Sequence, residues 1–304
     1  MGAVVAALTF WRTVTGLWQA GPGRRLTWTR KFGKLAPRVR PDYVEQLFGQ
    51  PAFELRADAE ELTGLDADPT VIVAATREVT ERVWPLANDG YLVTWSGESE
   101  VIAYSLTTTN RRFHPKIRIG SELFSNGVVL TVHLGRTRFA DLVAALHPNH
   151  LVELASWKGA RRHEYYETYY FGNPGHYRSW SCGASGAGYQ RREARAMGSL
   201  GPDGSVYLDA QLLDRLPKER RDQLADFRSR AVVNSLMIQG MGSVRVCRAL
   251  PRSGPDHDVV RTLGAAPGVF DRFRHRLWLR RLNRQLDASV ELEVPGTQPG
   301  EVER

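Results

Sequence analysis

The stretch RRHEYYETYYFGNPGHY, residues 161–177, indicates the fold more clearly than any other part of this chain. Because successive side chains of a strand point to opposite faces, Tyr165, Glu167 and Tyr169 are predicted to share one face of a strand. The sequence GNPG at 172–175 is a turn signal, since proline fixes φ and the flanking glycines admit a positive φ. The stretch therefore predicts a tyrosine-rich β-strand that ends in a tight turn.

Further strands and helices are predicted on both sides of this strand. The segments YLVTW (91–95) and VIAYSLTT (101–108) alternate around a short turn, which is typical of a β-hairpin. Pro41 suits the first position of a helix over PDYVEQLFG, and Thr137 suits the N-cap of a helix that runs to residue 146. The chain is therefore predicted to be an α+β protein, with an antiparallel sheet of hairpins packed against helices.

Four other segments carry specific expectations. Residues 56–64 are acidic and are expected to form a loop or a helix, whereas residues 70–84 are expected to begin as a strand and continue as a helix. The glycine-rich run at 182–188 lacks the spacing of a phosphate-binding loop and is expected to be a hairpin loop. Residues 217–240 are predicted to form one long helix.

The order of these elements also predicts how the chain is divided. A helix followed by a hairpin occurs twice, which indicates two related units at 37–110 and 126–190. The predicted parts are a hydrophobic N-terminal segment (1–23), an α+β domain (24–250), a linker (251–265), a basic amphipathic helix (266–288) and a disordered tail (289–304).

Composition and charge narrow the class of protein. With 42% hydrophobic residues among 304, the chain has enough apolar material for a large core. Its two cysteines, Cys182 and Cys247, argue against a disulfide scaffold and a cysteine-based zinc site.

The positive charge of the chain is concentrated near its two ends. The net charge is +8, yet Arg24–Arg40 holds seven cations and no acid, and Phe270–Leu286 carries a net charge of +5, so the remaining residues together carry −4. This asymmetry indicates that the two basic ends contact an anionic surface.

Residues 2–18 are mostly apolar but include Arg12, which is costly at the centre of a bilayer. Three interpretations remain open for this segment. It is a membrane anchor with Trp11 and Trp18 at headgroup level, the remnant of a longer membrane span, or an amphipathic helix packed on the core. The cations that follow favour the membrane interpretations and place this flank on the cytoplasmic side.

The C-terminal basic segment is predicted to be a helix with aromatic and leucine side chains on one side and arginines on the other. This pattern is typical of a helix on a membrane surface, and equally of one docked on the protein body with solvated arginines. The residues predicted to contact a membrane or another anionic surface are Trp11, Trp18, Arg24, Arg25, Arg30, Lys31, Lys34, Arg272, Arg276, Trp278, Arg280, Arg281 and Arg284.

The tyrosine-rich strand is the second candidate surface. Cross-strand aromatic packing, with hydroxyl groups at the sheet surface, accounts for its tyrosines without any ligand. The alternative is a groove that binds a ligand or a protein partner, because tyrosine and arginine dominate binding surfaces. The residues of that surface would be Arg161, Arg162, His163, Tyr165, Glu167, Tyr169, His176 and Tyr177.

No recognised catalytic or cofactor-binding motif occurs in the sequence, and no cofactor is expected. An enzyme interpretation rests on an acid–base set in the tyrosine-rich stretch, formed by His163, Glu164, Glu167 and His176. Five histidines lie within residues 133–176, but their spacing does not match metal ligands on one helix, so no metal site is predicted.

Four segments together resemble a bacterial domain family of unknown function. They are LFGQPAF (47–53), VIAYSLTT (101–108), HLGRTRF (133–139) and YYETYYFGNPGHY (165–177). Members of that family carry an LG-x-T-x-F segment and a YYFGNPG segment, often behind a hydrophobic N-terminus. The resemblance spans residues 30–240 and implies a fold and a membrane context without any catalytic residue. The segment PDYVEQLFGQP (41–51) is also similar in outline to the small lipoprotein of outer-membrane barrel assembly, although no N-terminal lipidation cysteine is present.

These observations favour a non-catalytic binding or scaffolding module that its basic ends hold at the cytoplasmic face of a membrane. A hydrolase-like enzyme is one alternative, with its site in the tyrosine-rich stretch. A nucleic-acid-binding protein is another, because phosphate contacts need only such cations, although no recognised nucleic-acid motif is present.

Overall fold

The computed structural model describes residues 22–65, 72–120, 129–158, 163–172, 178–186 and 206–240. Contacts along the chain separate residues 1–264 from residues 265–304, and all the described residues belong to the first of these units. The predicted N-terminal segment 2–18, the linker after residue 250, the basic C-terminal helix and the tail therefore lie outside the described residues.

The described ranges contain eleven strands and four α-helices. The strands are β1 (Phe53–Leu65), β2 (Ile72–Pro85), β3 (Gly90–Ser96), β4 (Val101–Thr108), β5 (Lys116–Gly120), β6 (Val129–His133), β7 (Leu151–Lys158), β8 (His163–Tyr170), β9 (Ser179–Ser185), β10 (Val206–Asp209) and β11 (Ser235–Gln239). The helices are α1 (Pro22–Phe32), α2 (Pro41–Phe48), α3 (Phe139–Ala145) and α4 (Lys218–Arg230), with 3₁₀ turns at Pro148–His150 and Ala210–Arg215.

Nine of these strands form one antiparallel sheet, in the order β1-β2-β3-β4-β11-β9-β8-β7-β10, and β5 pairs with β6 in a separate sheet. Strands β1 to β4 follow one another inward from one edge, and β7 to β9 approach from the other half. Between them β11 closes the sheet, with Leu236 opposite both Leu106 and Cys182. The predicted α+β fold with an antiparallel sheet is confirmed, whereas the duplication stays a prediction.

One face of the nine-stranded sheet is covered by all four described helices and by the β5–β6 hairpin, and we call it the helix-covered face. Each helix contributes a buried apolar side chain to the core on this face: Phe32 of α1, Val44 of α2, Phe139 of α3 and Phe227 of α4. Each fully buried side chain of this kind stabilises the fold by about 1.5–3 kcal/mol, which holds the helices on the sheet.

The second face of the sheet carries a smaller apolar cluster among buried polar side chains. Tyr166 and Met237 belong to that cluster. Hydroxyl groups pair across neighbouring strands here, because Ser235 Oγ lies 2.8 Å from Thr107 Oγ1 and 3.1 Å from the Tyr166 hydroxyl. Buried polar groups are costly unless they are hydrogen-bonded, and these cross-strand pairs meet that requirement.

The two longest described strands, β1 and β2, correct the expectation of a loop or helix at 56–64 and of a helix in the later part of 70–84, whereas the strand expected at the start of 70–84 is confirmed. Residues 56–64 lie in β1, and residues 72–84 lie in β2, which pairs with it. Charged residues obscured the strand pattern, because opposite charges can face each other across a strand pair. Arg82 and Glu54 illustrate this: they occupy directly opposite positions and are joined by a hydrogen bond of 2.7 Å.

The prediction of one long helix at 217–240 is wrong in its second half. Helix α4 ends at Arg230, and β11 begins at Ser235. The apolar run before and within β11 suits a central strand that is buried on both faces. Periodicity alone does not distinguish such a strand from a buried helix segment.

The expectation of a hairpin loop at 182–188 is wrong as far as Ser185, because β9 includes these residues. Gly183 lies opposite Tyr166, and a Cβ atom on Gly183 would be only 2.3 Å from Cε1 of the Tyr166 ring. Close packing under an aromatic ring therefore explains this glycine. Gly172, in contrast, has a φ of +65°, as expected for the turn that follows the tyrosine-rich strand.

Candidate functional site

The tyrosine-rich strand is β8, and its predicted face lies beneath α4 on the helix-covered face. The hydroxyl groups of Tyr165 and Tyr169 each donate a hydrogen bond of 2.5 Å to the carboxylate of Glu167, one to each oxygen. Arg228 of α4 donates from Nε to Glu167 Oε1 over 2.7 Å. These four side chains form a buried cluster, which we call the Glu167 cluster.

Electrostatics fixes the protonation states within the Glu167 cluster. Burial, followed by the charge of Glu167, raises the pKa of both Tyr165 and Tyr169 well above its ordinary value. Burial alone would lower the pKa of Arg228, but the charge of Glu167 outweighs it and raises that pKa. The arginine is therefore charged and both tyrosines are neutral hydrogen-bond donors at physiological pH.

The Glu167 cluster is enclosed by the core. The side chain of Glu167 is 0% exposed and that of Arg228 only 15%, and Tyr165 and Tyr169 are buried. Three members of the predicted tyrosine surface therefore form no surface open to a ligand or partner in this structure. The arrangement joins α4 to the sheet through a charge pair.

The structure does not describe the side chains of the remaining members of that predicted surface. Arg161, Arg162, His176 and Tyr177 lie outside the described residues, and so does the side chain of His163.

The carboxylates of the proposed acid–base set point in different directions. Glu164 is three residues before Glu167 on one strand, so the two side chains lie on opposite faces of the sheet. Glu164 accepts a hydrogen bond of 3.5 Å from Ser185, whereas Glu167 binds Arg228 beneath α4. These two glutamates therefore cannot act on one substrate as acid and base.

The basic N-terminal end is helical over α1, which docks on the protein body by one side. Its inner side carries Phe32, which is buried, and Trp28, whose ring centroid lies 4.7 Å from that of Phe48 on α2. Its outer side carries Leu26 and Arg30, one turn apart and both exposed. Leu26 is 53% exposed and, with Val143, is one of two large apolar side chains exposed among the described residues.

Two of the predicted surface cations are used inside the protein. Arg24 and Arg25 donate to opposite oxygens of Asp89, over 3.1 Å and 2.7 Å, and Asn110 also donates to this carboxylate. Burial raises the pKa of Asp89, but hydrogen bonds and charges from Arg25 and Arg24 outweigh it and hold the pKa below its ordinary value. Both arginines therefore fix the start of α1 on the turn before β3.

The other predicted surface cations of the N-terminal basic segment do not bind Asp89. Lys31 lies over the rings of Trp28 and Phe48, with Nζ 5.8 Å and 5.7 Å from their centroids. Arg30 and Lys34 are exposed. Of the five described cations predicted to contact an anionic surface, these two are exposed and the other three are half-buried.

Sequence reasoning missed a second group of cations, in the body of the protein. Residues 101–140 contain six cations and one acid, Glu122. Three exposed members of this group are Arg112, Lys116 and Arg136, around the β5–β6 hairpin. The net charge of all the residues outside the two basic ends is negative, and this sum conceals the group. Counting charges in short segments of the sequence reveals it. The basic character is therefore not confined to the two ends of the chain.

Neither a metal site nor a membrane-spanning helix is found in the part of the chain that the structure describes. No cluster of three or more histidine, cysteine, aspartate or glutamate side chains is placed to hold a metal ion within the described residues. No helix in these ranges is long and apolar enough to cross a bilayer. Residues 2–18, for which a membrane anchor is one interpretation, lie outside the described residues.

The chain matches no protein-family model, no curated protein and no solved structure. The resemblances drawn from its motifs therefore stay predictions, and function has to be argued from the residues themselves.

Proposed function

We propose that this protein is a non-catalytic binding or scaffolding module that attaches to an anionic membrane surface at its cytoplasmic face through the outer side of α1. One observation carries this proposal: α1 is docked by its inner side, yet it presents an exposed leucine beside exposed cations. Residues 22–41 contain no acid, so nothing within α1 or the turn after it neutralises these cations.

The chemistry of this side matches an anionic bilayer. Each lysine or arginine near such a surface contributes about 1 kcal/mol of attraction, which salt screens. Leu26 adds an apolar group that can enter the boundary between headgroups and acyl chains. A leucine flanked by cations suits a lipid surface better than a nucleic-acid backbone, which offers phosphates but no apolar layer.

Vesicle flotation with the full chain tests the proposal. The expected result is binding to vesicles of phosphatidylserine and phosphatidylcholine, no binding to phosphatidylcholine alone, and release as salt is raised. The double substitution Arg30→Glu with Lys34→Glu should weaken binding, and Leu26→Ser should weaken it without changing its salt dependence.

The matched control reverses two exposed cations elsewhere, with Lys218→Glu and Arg221→Glu on α4. The charge change is the same, but acids stand among the cations of this helix, so binding should change little. Equal binding to neutral vesicles, or equal weakening by both double substitutions, would contradict the proposal. Displacement from vesicles by duplex DNA at equal phosphate concentration would instead favour the nucleic-acid alternative.

A further inference from the structure

The β5–β6 hairpin has an apolar side and a basic side. Ile119 and Val132 are buried in the core on the helix-covered face. Lys116 lies opposite His133, and Arg118 lies opposite Thr131, so these four alternate residues share the outward side. Lys116, Arg118 and Thr131 are exposed. The hairpin therefore presents two cations and the hydroxyl group of Thr131 to solvent.

More exposed cations flank the outward side of this hairpin. Arg112 lies in the turn that leads into β5, and Arg136 lies in the turn that follows β6. The backbone N–H of Arg136 is held by the carbonyl of His133 at 3.0 Å, which keeps this turn at the end of the hairpin where Lys116 begins. Residues 101–140 hold six cations and one acid, Glu122, which belongs to the connection between the two strands.

The hairpin and α1 are neighbours on the same side of the sheet. Arg25 of α1 donates from Nη1 to the carbonyl of Arg112 over 3.1 Å, and its guanidinium carbon lies 5.9 Å from the centre of the Phe113 ring. Both elements pack on the helix-covered face through buried residues, Phe32 from α1 and Ile119 from the hairpin. Their outer sides therefore face away from the sheet in the same general direction.

Helix α4, which covers another part of this face, differs in charge. Its exposed side carries Lys218 and Arg221 but also Glu219, Asp222 and Asp226. Cations in excess over acids are thus concentrated on α1 and the hairpin, whereas the exposed side of α4 carries both signs of charge. An anionic bilayer would be attracted to the first two elements and not to the third.

We propose that the outward side of the β5–β6 hairpin is a second contact for the anionic bilayer, so that the protein lies against lipid headgroups with α1 and the hairpin together. This inference rests on the proposed function and adds the orientation of the protein on the membrane. The chemical class recognised is the phosphate or carboxylate of a lipid headgroup, which lysine and arginine bind through charge-assisted hydrogen bonds.

Two measurements on the full chain test this orientation. In the first, Lys116→Glu with Arg136→Glu should weaken binding to phosphatidylserine-containing vesicles by about fivefold or more for each cation. Lys218→Glu with Arg221→Glu, an equal change of charge, should leave binding within about twofold. Thermal unfolding checks that each variant folds.

The second measurement does not depend on the charge variants. A polarity-sensitive dye attached at Thr131→Cys, in a Cys247→Ser background, should shift its emission to the blue when vesicles are added. The dye is site-specific because the remaining native thiol, that of Cys182, is fully buried. The same dye at Ala225→Cys, on the exposed side of α4, should not shift.

The two proposals fail in different ways. If the full chain binds anionic vesicles and the α1 variant weakens that binding, but the hairpin variant binds normally and the dye at residue 131 does not shift, the hairpin contact is wrong and the α1 contact stands. If neither anionic nor neutral vesicles bind the full chain, the proposed function fails and the hairpin contact fails with it.

Discussion

Arg228 on α4 donates a hydrogen bond of 2.7 Å to Glu167 on β8, whose carboxylate is completely buried. A charge is placed in a protein core at a considerable free-energy cost, which a partner of opposite charge and further hydrogen bonds must offset. Here Tyr165 and Tyr169, which share one face of β8 with Glu167, supply those bonds, so each oxygen of the carboxylate has a donor. The position of α4 on the sheet is thereby tied to one ion pair.

The first prediction concerns the stability of this pair. Arg228→Met leaves the Glu167 carboxylate buried without its cation, and we expect a loss of about 3 kcal/mol or more in the free energy of unfolding. Urea denaturation measures it. Arg230→Met, which removes an exposed arginine from the same helix, should cost well under about 1 kcal/mol.

A double-mutant cycle separates the pair from its surroundings. Adding Glu167→Gln to Arg228→Met removes the unpaired charge, so the double variant should be more stable than the sum of the two single losses predicts. Simple additivity of the two losses would mean that the ion pair does not couple α4 to the sheet.

The second prediction concerns alkaline pH. The pKa values of Tyr165 and Tyr169 are raised in the folded protein, whereas in the unfolded chain a tyrosine ionises near about pH 10. Above that pH the unfolded state holds fewer protons than the folded state, so the free energy of unfolding falls as pH rises. Below it the raised pKa values leave stability unaffected by pH.

Urea titrations at a series of pH values from neutral to strongly alkaline measure this slope. Tyr169→Phe should make the alkaline decline shallower, even though it lowers stability at neutral pH by removing a donor to Glu167. Tyr43→Phe, at a partly exposed position of α2, serves as control and should leave the slope unchanged. An alkaline decline that is identical in all three proteins would show that the buried tyrosines do not contribute to it.

The elements that could be predicted from the sequence are those with a local signal. Alternation of side chains predicted the β3–β4 hairpin and strand β8, and a proline at the first position predicted α2. Strand β1 and the later part of β2 were missed because charged residues there are paired across strands, as Arg82 is with Glu54. Such pairing depends on the partner strand, which no local pattern reveals.

The candidate sites also have features that a local sequence pattern predicts and features that depend on residues distant in sequence. The shared face of Tyr165, Glu167 and Tyr169 follows from strand geometry, but the partner that pairs with the buried Glu167 carboxylate is Arg228, which is distant in sequence. The cations of the β5–β6 hairpin become a surface only because the inner residues of the hairpin are buried. Asp89 removes two arginines from the predicted surface through contacts over more than sixty positions.

The third prediction concerns Asp89, which holds the start of α1. Asp89→Asn replaces a carboxylate that accepts from Arg24 and Arg25, so the first turn of α1 should open more often. Trypsin cleaves after these arginines, and limited digestion followed by mass spectrometry should show faster cleavage there. Asp42→Asn, which alters an exposed pair with Arg40, should leave cleavage after Arg24 and Arg25 unchanged.

The same aspartate contributes to stability in acid. Because its folded pKa is lowered, the contribution is present above the ordinary aspartate value of about 3.9 and is lost as pH falls through the folded value. The free energy of unfolding should therefore decline less between neutral pH and strong acid in Asp89→Asn than in the wild type. An equal decline in both proteins would show that the arginines do not hold Asp89 ionised.

The fourth prediction concerns Gly183, which lies beneath the Tyr166 ring. A methyl group at this position would approach Cε1, Cδ1 and Cζ of that ring within 3 Å, so Gly183→Ala must displace the ring and with it the hydroxyl contact to Ser235. We expect a loss of about 1–3 kcal/mol in the free energy of unfolding, measured by urea denaturation. Gly33→Ala is the matched control, since its nearest neighbours stand at 3.5 and 3.6 Å, and it should change stability far less. If both substitutions cost the same, the close approach of β8 and β9 at Gly183 is not what requires glycine there.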